Sequence, residues 1–212
     1  MNGVFPFVLF IGVLLVAVGW MGMKSRRQTR RAHEGLAALA RQLGLQLHEK
    51  PPRYGLFPQV PAVSGQRGGR EVRFYIFTTG SGRHCQQWRA FAVACANPQG
   101  LTFRLSTPNG FSRVGERPGL QEVRSGHPEF DERFVVQTNA PDFLRAALRP
   151  ELLDPLLRYW SAVAPGASLT AEGAGIVYAE PGHFAEAKAL ARMLALLEPA
   201  LALAALPEVY RG

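Results

Sequence analysis

Apolar residues run almost unbroken from Val4 to Met23, and no charged side chain precedes Lys24. About 20 residues at ~1.5 Å of rise each span roughly 30 Å of hydrocarbon, so this stretch predicts one transmembrane helix. Pro6 falls in its first turn, where a missing backbone donor costs little. A cleaved signal peptide would want a basic start and a small-x-small cleavage site. Met1-Asn2-Gly3 is uncharged, and Gly19-Trp20-Met21-Gly22-Met23 lacks that pattern. A buried core helix of this length would normally show a polar face.

From Thr29 to Leu43 the spacing is helical, with Ala32, Leu36, Leu39, Ala40 and Leu43 on one side and Gly44 as the stop. The period then drops to two. Leu45 and Leu47 start a short strand; Val60, Ala62 and Val63 make a second, which Pro61 marks as an edge. Gln66-Arg67-Gly68-Gly69 is a turn. Val72, Phe74 and Ile76 then alternate with Arg73, Tyr75 and Phe77, so both faces of this strand are partly apolar, and a central, helix-covered position is expected. After the Gly80-Ser81-Gly82-Arg83 loop, Trp88 to Ala96 sets Phe91, Val93 and Cys95 against Ala90, Ala92, Ala94 and Ala96, a surface of small residues on which a helix could lie. Asn97-Pro98-Gln99-Gly100 turns the chain into a strand through Leu101, Phe103 and Leu105, which should continue an antiparallel meander.

Pro108 to Phe130 is poor in apolar residues and has no clear period. Phe134 and Val136 mark a strand. Asn139 is placed to cap a helix with Pro141 and Asp142 in its first turn and Phe143, Leu144, Ala147 and Leu148 buried. Leu152, Leu153, Leu156, Leu157 and Trp160 extend the helical pattern after Pro150, and Ala174 to Ala179 reads as the last strand. From Phe184 the chain is helical, with Ala187, Leu190, Ala191, Leu194, Leu197 and Leu201 along one side and Pro199 kinking or restarting it. Met193 to Leu206 is strongly apolar, but it is too short to span a bilayer and is interrupted by Glu198 and Pro199, so it should pack on the sheet. No internal repeat is visible. The predicted class is α+β: one N-terminal transmembrane helix, then a mostly antiparallel sheet packed by helices, with a long C-terminal helix. The expected divisions are an anchor at 1–23, a basic juxtamembrane segment and amphipathic helix at 24–44, and a cytoplasmic domain at 45–212.

Phe130-Asp131-Glu132-Arg133-Phe134-Val135-Val136, followed by the Pro141 to Leu153 helical stretch, resembles a group of bacterial single-pass membrane proteins of uncharacterised function. The resemblance covers most of the chain in layout and rests on one short motif. It implies an N-terminal anchor, a short helix, a mostly antiparallel sheet and a closing helix, and it carries no catalytic residues over.

Charge adds an orientation. Lys24, Arg26, Arg27, Arg30 and Arg31 follow the apolar stretch, so the positive-inside rule places the N-terminus outside and the body in the cytoplasm of a bacterial inner membrane. Trp20 suits the interfacial belt, and the cations are expected to contact anionic headgroups. Removing these 5 from 24 basic residues leaves 19 against 16 acidic ones, so the formal charge of +8 falls to +3 beyond the flank. That near-balance argues against a nucleic-acid surface. The expected partners are membrane lipid through the anchor and flank, and a protein. The arginine-rich, Ala- and Gly-rich composition fits a GC-rich bacterial genome. Cys85 and Cys95 have no metal spacing, and a cytoplasmic domain would keep them reduced.

The candidate chemistry is sparse. His127, Glu129 and Asp131 would share a face if they lay in a strand and could ligate a divalent metal, but Pro128 favours a surface turn. His84 beside Cys85 could supply a thiolate and base, although adjacent residues rarely point at one another. Gly80-x-Gly82 lacks the rest of a dinucleotide motif, and Gly65 to Gly69 lacks the Lys-Ser/Thr of a P-loop, so both read as turns and no cofactor is expected. Arg113, Arg117 and Arg124 could meet an anionic ligand or stand in a solvated loop. The outer face of the Arg73 strand could line a pocket, with helix cover the simpler account. The sequence therefore supports a membrane-anchored cytoplasmic binding or scaffold domain. The alternative is a membrane-tethered enzyme using the Gly80 to Cys85 loop or the His127 to Asp131 run.

Overall fold

The computed structural model describes residues 27, 29–50, 59–81, 84–108, 119–160 and 165–212. The expected transmembrane segment lies outside them, together with Trp20, Lys24, Arg26, Gly82, Arg83, Arg113 and Arg117. Helix α1 occupies residues 29–43 and buries Ala32, Leu36, Leu39 and Ala40, as its periodicity predicts. It ends where Gly44 turns left-handed at φ 67°. There the Leu45 amide donates to Ala40 O at 2.8 Å and the Gly44 amide to Arg41 O at 3.4 Å, a Schellman-type stop that satisfies two orphan carbonyls.

The strands are β1 (Gln46–His48), β2 (Ala62–Arg67), β3 (Arg70–Thr79), β4 (Gln86–Ala94), β5 (Phe103–Ser106), β6 (Gln121–Val123), β7 (Val135–Thr138), β8 (Ser168–Glu172) and β9 (Gly175–Pro181). They form a nine-stranded sheet in the order β1-β2-β3-β4-β9-β8-β5-β7-β6, with every neighbouring pair antiparallel. The helices that follow α1 are α2 (Pro128–Arg133), α3 (Pro141–Ala147), α4 (Pro150–Trp160), α5 (Ala187–Leu203) and α6 (Leu206–Val209). The fold is α+β, with a large antiparallel sheet and a long C-terminal helix.

Several expectations are corrected. Strand β2 is interior, bonded to β1 and β3, because Pro61 precedes it and costs no ladder bond. The meander ends at β4: the β8–β9 hairpin inserts between β4 and β5, so β5 pairs with β8 and β7. Asn139 does not cap α3, whose N-cap is Ala140. Its side chain instead accepts from the Thr102 amide at 2.8 Å and donates to Gly100 O at 2.9 Å, pinning the approach to β5. Phe134 ends α2 and does not lie in β7. The buried stripe of α5 is Ala189, Met193, Leu196, Leu197, Ala200 and Leu203, rotated from the expected one, so that Ala187 and Ala191 face solvent. A helix apolar on most sides gives periodicity no phase to read.

The core lies on one face of the sheet. Val63, Val72, Phe74, Phe91, Val93, Ile176, Tyr178, Leu169 and Phe103 point into it, and Leu36 of α1, Leu144 of α3, Leu156 of α4 and Met193 of α5 close it from the other side. Residues Ala187–Val209 are apolar and long enough to cross a membrane by composition. Met193, Leu196, Ala200 and Leu203 are nevertheless fully buried, so that apolarity is used within the domain. Helix α1 approaches the α5 entry so closely that a Cβ on Gly35 would stand 2.2 Å from Phe184 O.

Candidate functional site

With α1, α3, α4 and α5 in one layer, the opposite sheet face carries a second, smaller apolar cluster. Antiparallel register fixes which side chains meet there. Phe77 stands beside Trp88; Tyr75, Ala90, Ala179 and Ser168 form the next row; Arg73, Ala92, Val177 and Thr170 the one after. The helix expected over the Arg73 and Ala90–Ala96 faces is absent among the described residues, while Phe74, Phe91 and Val93 point the other way, into the core that the helices close.

Small residues on β4 and β9 leave a floor between an aromatic wall and a polar strand. Phe77 and Trp88 stack with centroids 6.1 Å apart and planes 8° from parallel, and Tyr75 tilts against Phe77 at 6.0 Å. The Trp88 indole N–H donates to Thr79 Oγ1 at 2.7 Å, which satisfies the polar edge of a ring only 9% exposed. The guanidinium of Arg73 lies 5.8 Å from the Tyr75 ring centroid. Burial pushes the Tyr75 phenol up, with Arg73 opposing. The resulting cavity is about 460 Å³, within the range of small-ligand pockets. Phe77, Trp88, Val177 and Ala179 form its apolar side, and Ser168, Thr170 and Glu172, successive same-face residues of β8, its polar side.

Beneath the other face lies a cluster of buried charge. The Glu180 carboxylate, fully buried, accepts from Arg89 Nε at 2.5 Å, Arg192 Nη2 at 2.9 Å, Arg192 Nε at 3.0 Å and the Tyr178 hydroxyl at 2.7 Å. Arg89 Nη1 also donates to His183 O at 2.6 Å, and a Cβ on Gly182 would meet it at 3.0 Å. Burial first, then the Glu180 charge, drives the Tyr178 phenol far up; the bond to Glu180 raises Arg192; burial and Arg89 lower the His183 imidazole. With each oxygen of Glu180 bonded at least twice, this cluster ties β4, β9 and α5 together and offers no vacant lone pair to a ligand. Arg89 shares the parity of Phe91 and Val93, and Glu180 that of Ile176 and Tyr178. Opposite charges closing two apolar runs are the signal that the sequence carries for this pair.

The candidates taken from sequence do not converge. His127 caps α2, its Nδ1 accepting from the Phe130 amide at 3.3 Å. Asp131 accepts from the Ser125 amide and hydroxyl, each at 2.8 Å, and from the Gly126 amide at 3.0 Å. Glu129 pairs with Arg133 at 3.0 Å. The run is thus a helix start whose polar atoms are spent on the local backbone and on Ser125 and Arg133, neither the strand nor the turn expected. Among the described residues no three His, Cys, Asp or Glu side chains gather as a metal site. His84 and Cys85 sit in the β3–β4 connection, where the His84 amide donates to Ser81 O at 3.2 Å and Gly80 takes φ 78°. Cys85 is exposed and Cys95 buried, at opposite ends of β4 and so roughly 30 Å apart, too far to pair. Arg27, Arg30, Arg31 and Arg124 are exposed, and Arg30 pairs with Glu34 at 2.9 Å.

A further polar cavity, about 440 Å³, lies at the β1–β2 edge, where Ser64 Oγ stands 2.8 Å from His48 Nε2. The spacing is that of a hydroxyl and its base. On an exposed edge it equally describes an ordinary cross-strand polar pair.

No family model and no curated protein matches this sequence. Among solved structures, the chain is similar in fold to the crystal structure of the mycobacterial trehalose monomycolate transport factor A, TtfA, with a TM-score of 0.52 and 14% identity over 88% of this chain and 97% of that one.

Proposed function

We propose that the chain is a membrane-anchored binding or scaffold protein. Residues 4–23 cross a bacterial inner membrane once with the N-terminus outside. Trp20, Lys24, Arg26, Arg27, Arg30 and Arg31 lie at the inner interface, and the α+β domain binds a lipid or protein partner from the cytoplasmic side. The observation that carries the binding role is the cavity on the sheet face opposite α1, α3, α4 and α5, lined by Phe77 and Trp88. A concave cavity with an apolar side and a few polar groups is the usual form of a binding site. The membrane placement is supported by the apolar stretch and its basic flank, and by likeness of fold to a protein whose name assigns it to transport.

Proteolysis of right-side-out and inverted membrane vesicles tests this reading. The domain should be digested only in inverted vesicles. Digestion in right-side-out vesicles would reverse the orientation, and recovery of the chain in the soluble fraction would remove the anchor.

A further inference from the structure

The sheet ends at β6, and the hydrogen-bond phase of the ladders fixes which of its backbone groups face outward. The Asn139 amide donates to Thr102 O at 3.1 Å, and these two residues flank the paired Phe103 and Thr138, so Gln137 and Asn139 turn their backbone groups toward β5. The alternate residues of β7, Val136 and Thr138, therefore bond to β6 through Val123 and Gln121. This leaves the N–H and C=O of Glu122, and of Arg124 just beyond the strand, directed away from the sheet. Both side chains are exposed, and among the described residues neither has an ionic or hydrogen-bonding partner. They share the sheet face opposite the helices, because Val123 between them is buried beside Val136 of the core.

Charges on an edge strand usually deter pairing. Here their alternation selects one arrangement. Because Glu122 and Arg124 carry the outward groups, an antiparallel second copy must bond to them, which limits where the two-fold axis can pass. Centring on Glu122 sets two carboxylates together, centring on Arg124 sets two guanidinium groups together, and centring on Gln121 sets Glu122 against Leu120. Centring on Val123 places Glu122 of each copy opposite Arg124 of the other, and each of these pairs exchanges two backbone hydrogen bonds. From this complementarity we infer that β6 is a self-association edge, at which a second copy of the chain pairs antiparallel about Val123 and extends the sheet through both molecules. The two-fold axis of such a pair is normal to the sheet, so the helices α1, α3, α4 and α5 of both copies stand on one side of it, an arrangement compatible with two copies anchored in one membrane. The inference goes beyond the binding role proposed above and uses none of the cavity residues.

The test is sedimentation equilibrium of the full chain in density-matched detergent micelles over a range of protein concentrations. The unaltered chain should dimerise. Glu122→Arg alone, or Arg124→Glu alone, turns both attractive pairs into repulsive ones and should raise the dimer dissociation constant about tenfold. The double variant Glu122→Arg/Arg124→Glu puts opposite charges back in the same register and should restore the original constant. An equimolar mixture of the two single variants should also dimerise like the unaltered chain, since each then meets its complement. Circular dichroism should be the same for every variant, because both positions are exposed.

A monomeric unaltered chain overturns the inference. A dimer that neither single variant weakens also overturns it, and assigns the association to residues 4–23 or to another surface. A double variant as weak as the single ones overturns the register about Val123, because reversing both charges leaves that pairing intact.

Discussion

Glu180 is the residue on which most of the buried charge depends, since it answers Arg89, Arg192 and Tyr178 at once. Breaking a buried ion pair by removing one partner typically costs ~3–5 kcal/mol, because the survivors remain charged and dry. Glu180→Ala should fall in that range in urea unfolding, well beyond the effect of Glu34→Ala, whose pair with Arg30 is exposed. A loss below about 1 kcal/mol would mean that water reaches the arginines. Two groups with lowered folded values contribute to the acid side of stability. His183 is lowered from 6.5 by burial and then Arg89, and Glu208 is lowered from 4.5 chiefly by its hydrogen bond to Arg70. Both bind protons less tightly folded than unfolded, so their contributions are complete above 6.5 and 4.5 respectively and are lost as pH falls through the lower folded values. The thermal midpoint should decline in two steps on acidification, and His183→Asn should remove the upper one. A midpoint that rises below pH 6.5 would contradict the sign. Both groups are partly solvated, so each step should be small.

At the scale of elements, α1 contains one glycine and stops at another, and the two resist substitution for opposite reasons. Gly44 has open space around it but a φ of 67°, so Gly44→Ala should cost about 1 kcal/mol of backbone strain. Gly35 is helical, and Ala there would gain about 1 kcal/mol in propensity alone. The 2.2 Å approach to Phe184 O reverses the sign, and Gly35→Ala should destabilise by ~1–3 kcal/mol in the same unfolding assay. A stabilised Gly35→Ala would mean that α1 sits farther from the α5 entry. The stripes of α1 and α4 were legible because polar residues interrupt them on the other sides. That of α5 was not, since nearly every position from Ala189 to Leu203 is apolar. Strands β6 and β8 are not legible in the sequence because each offers few apolar residues, Val123 in one and Leu169 and Ala171 in the other. Helix α2 was hidden by Pro128, which reads as a break yet stands at the first helical turn, where it is tolerated.

At the scale of the whole molecule, the core among the described residues runs from Ala32 to Leu206. If the Val4 to Met23 stretch serves only as an anchor, a chain beginning at residue 24 should keep the thermal transition of the full chain while leaving the membrane fraction, which sedimentation and circular dichroism can check together. Loss of the transition would mean that the N-terminal stretch contributes to folding. Local period and punctuation sufficed to specify the α+β class, the four-strand meander, the helix ending at Gly44 and the expectation of an anchor, because those properties are written in residues close together along the chain. Strand order past β4 was beyond them. Whether Leu105 lies beside Phe91 or beside Leu169 depends on whether the β8–β9 hairpin, distant along the chain, pairs with β4, and the chain does not encode that locally. Nor could alternation say which of two apolar faces on β3 the helices would cover. The helices cover the side whose apolar row runs unbroken across the sheet, Val63, Phe74, Phe91, Tyr178 and Leu169, where covering removes the most surface from water, and Phe77 and Trp88 are left to wall a cavity.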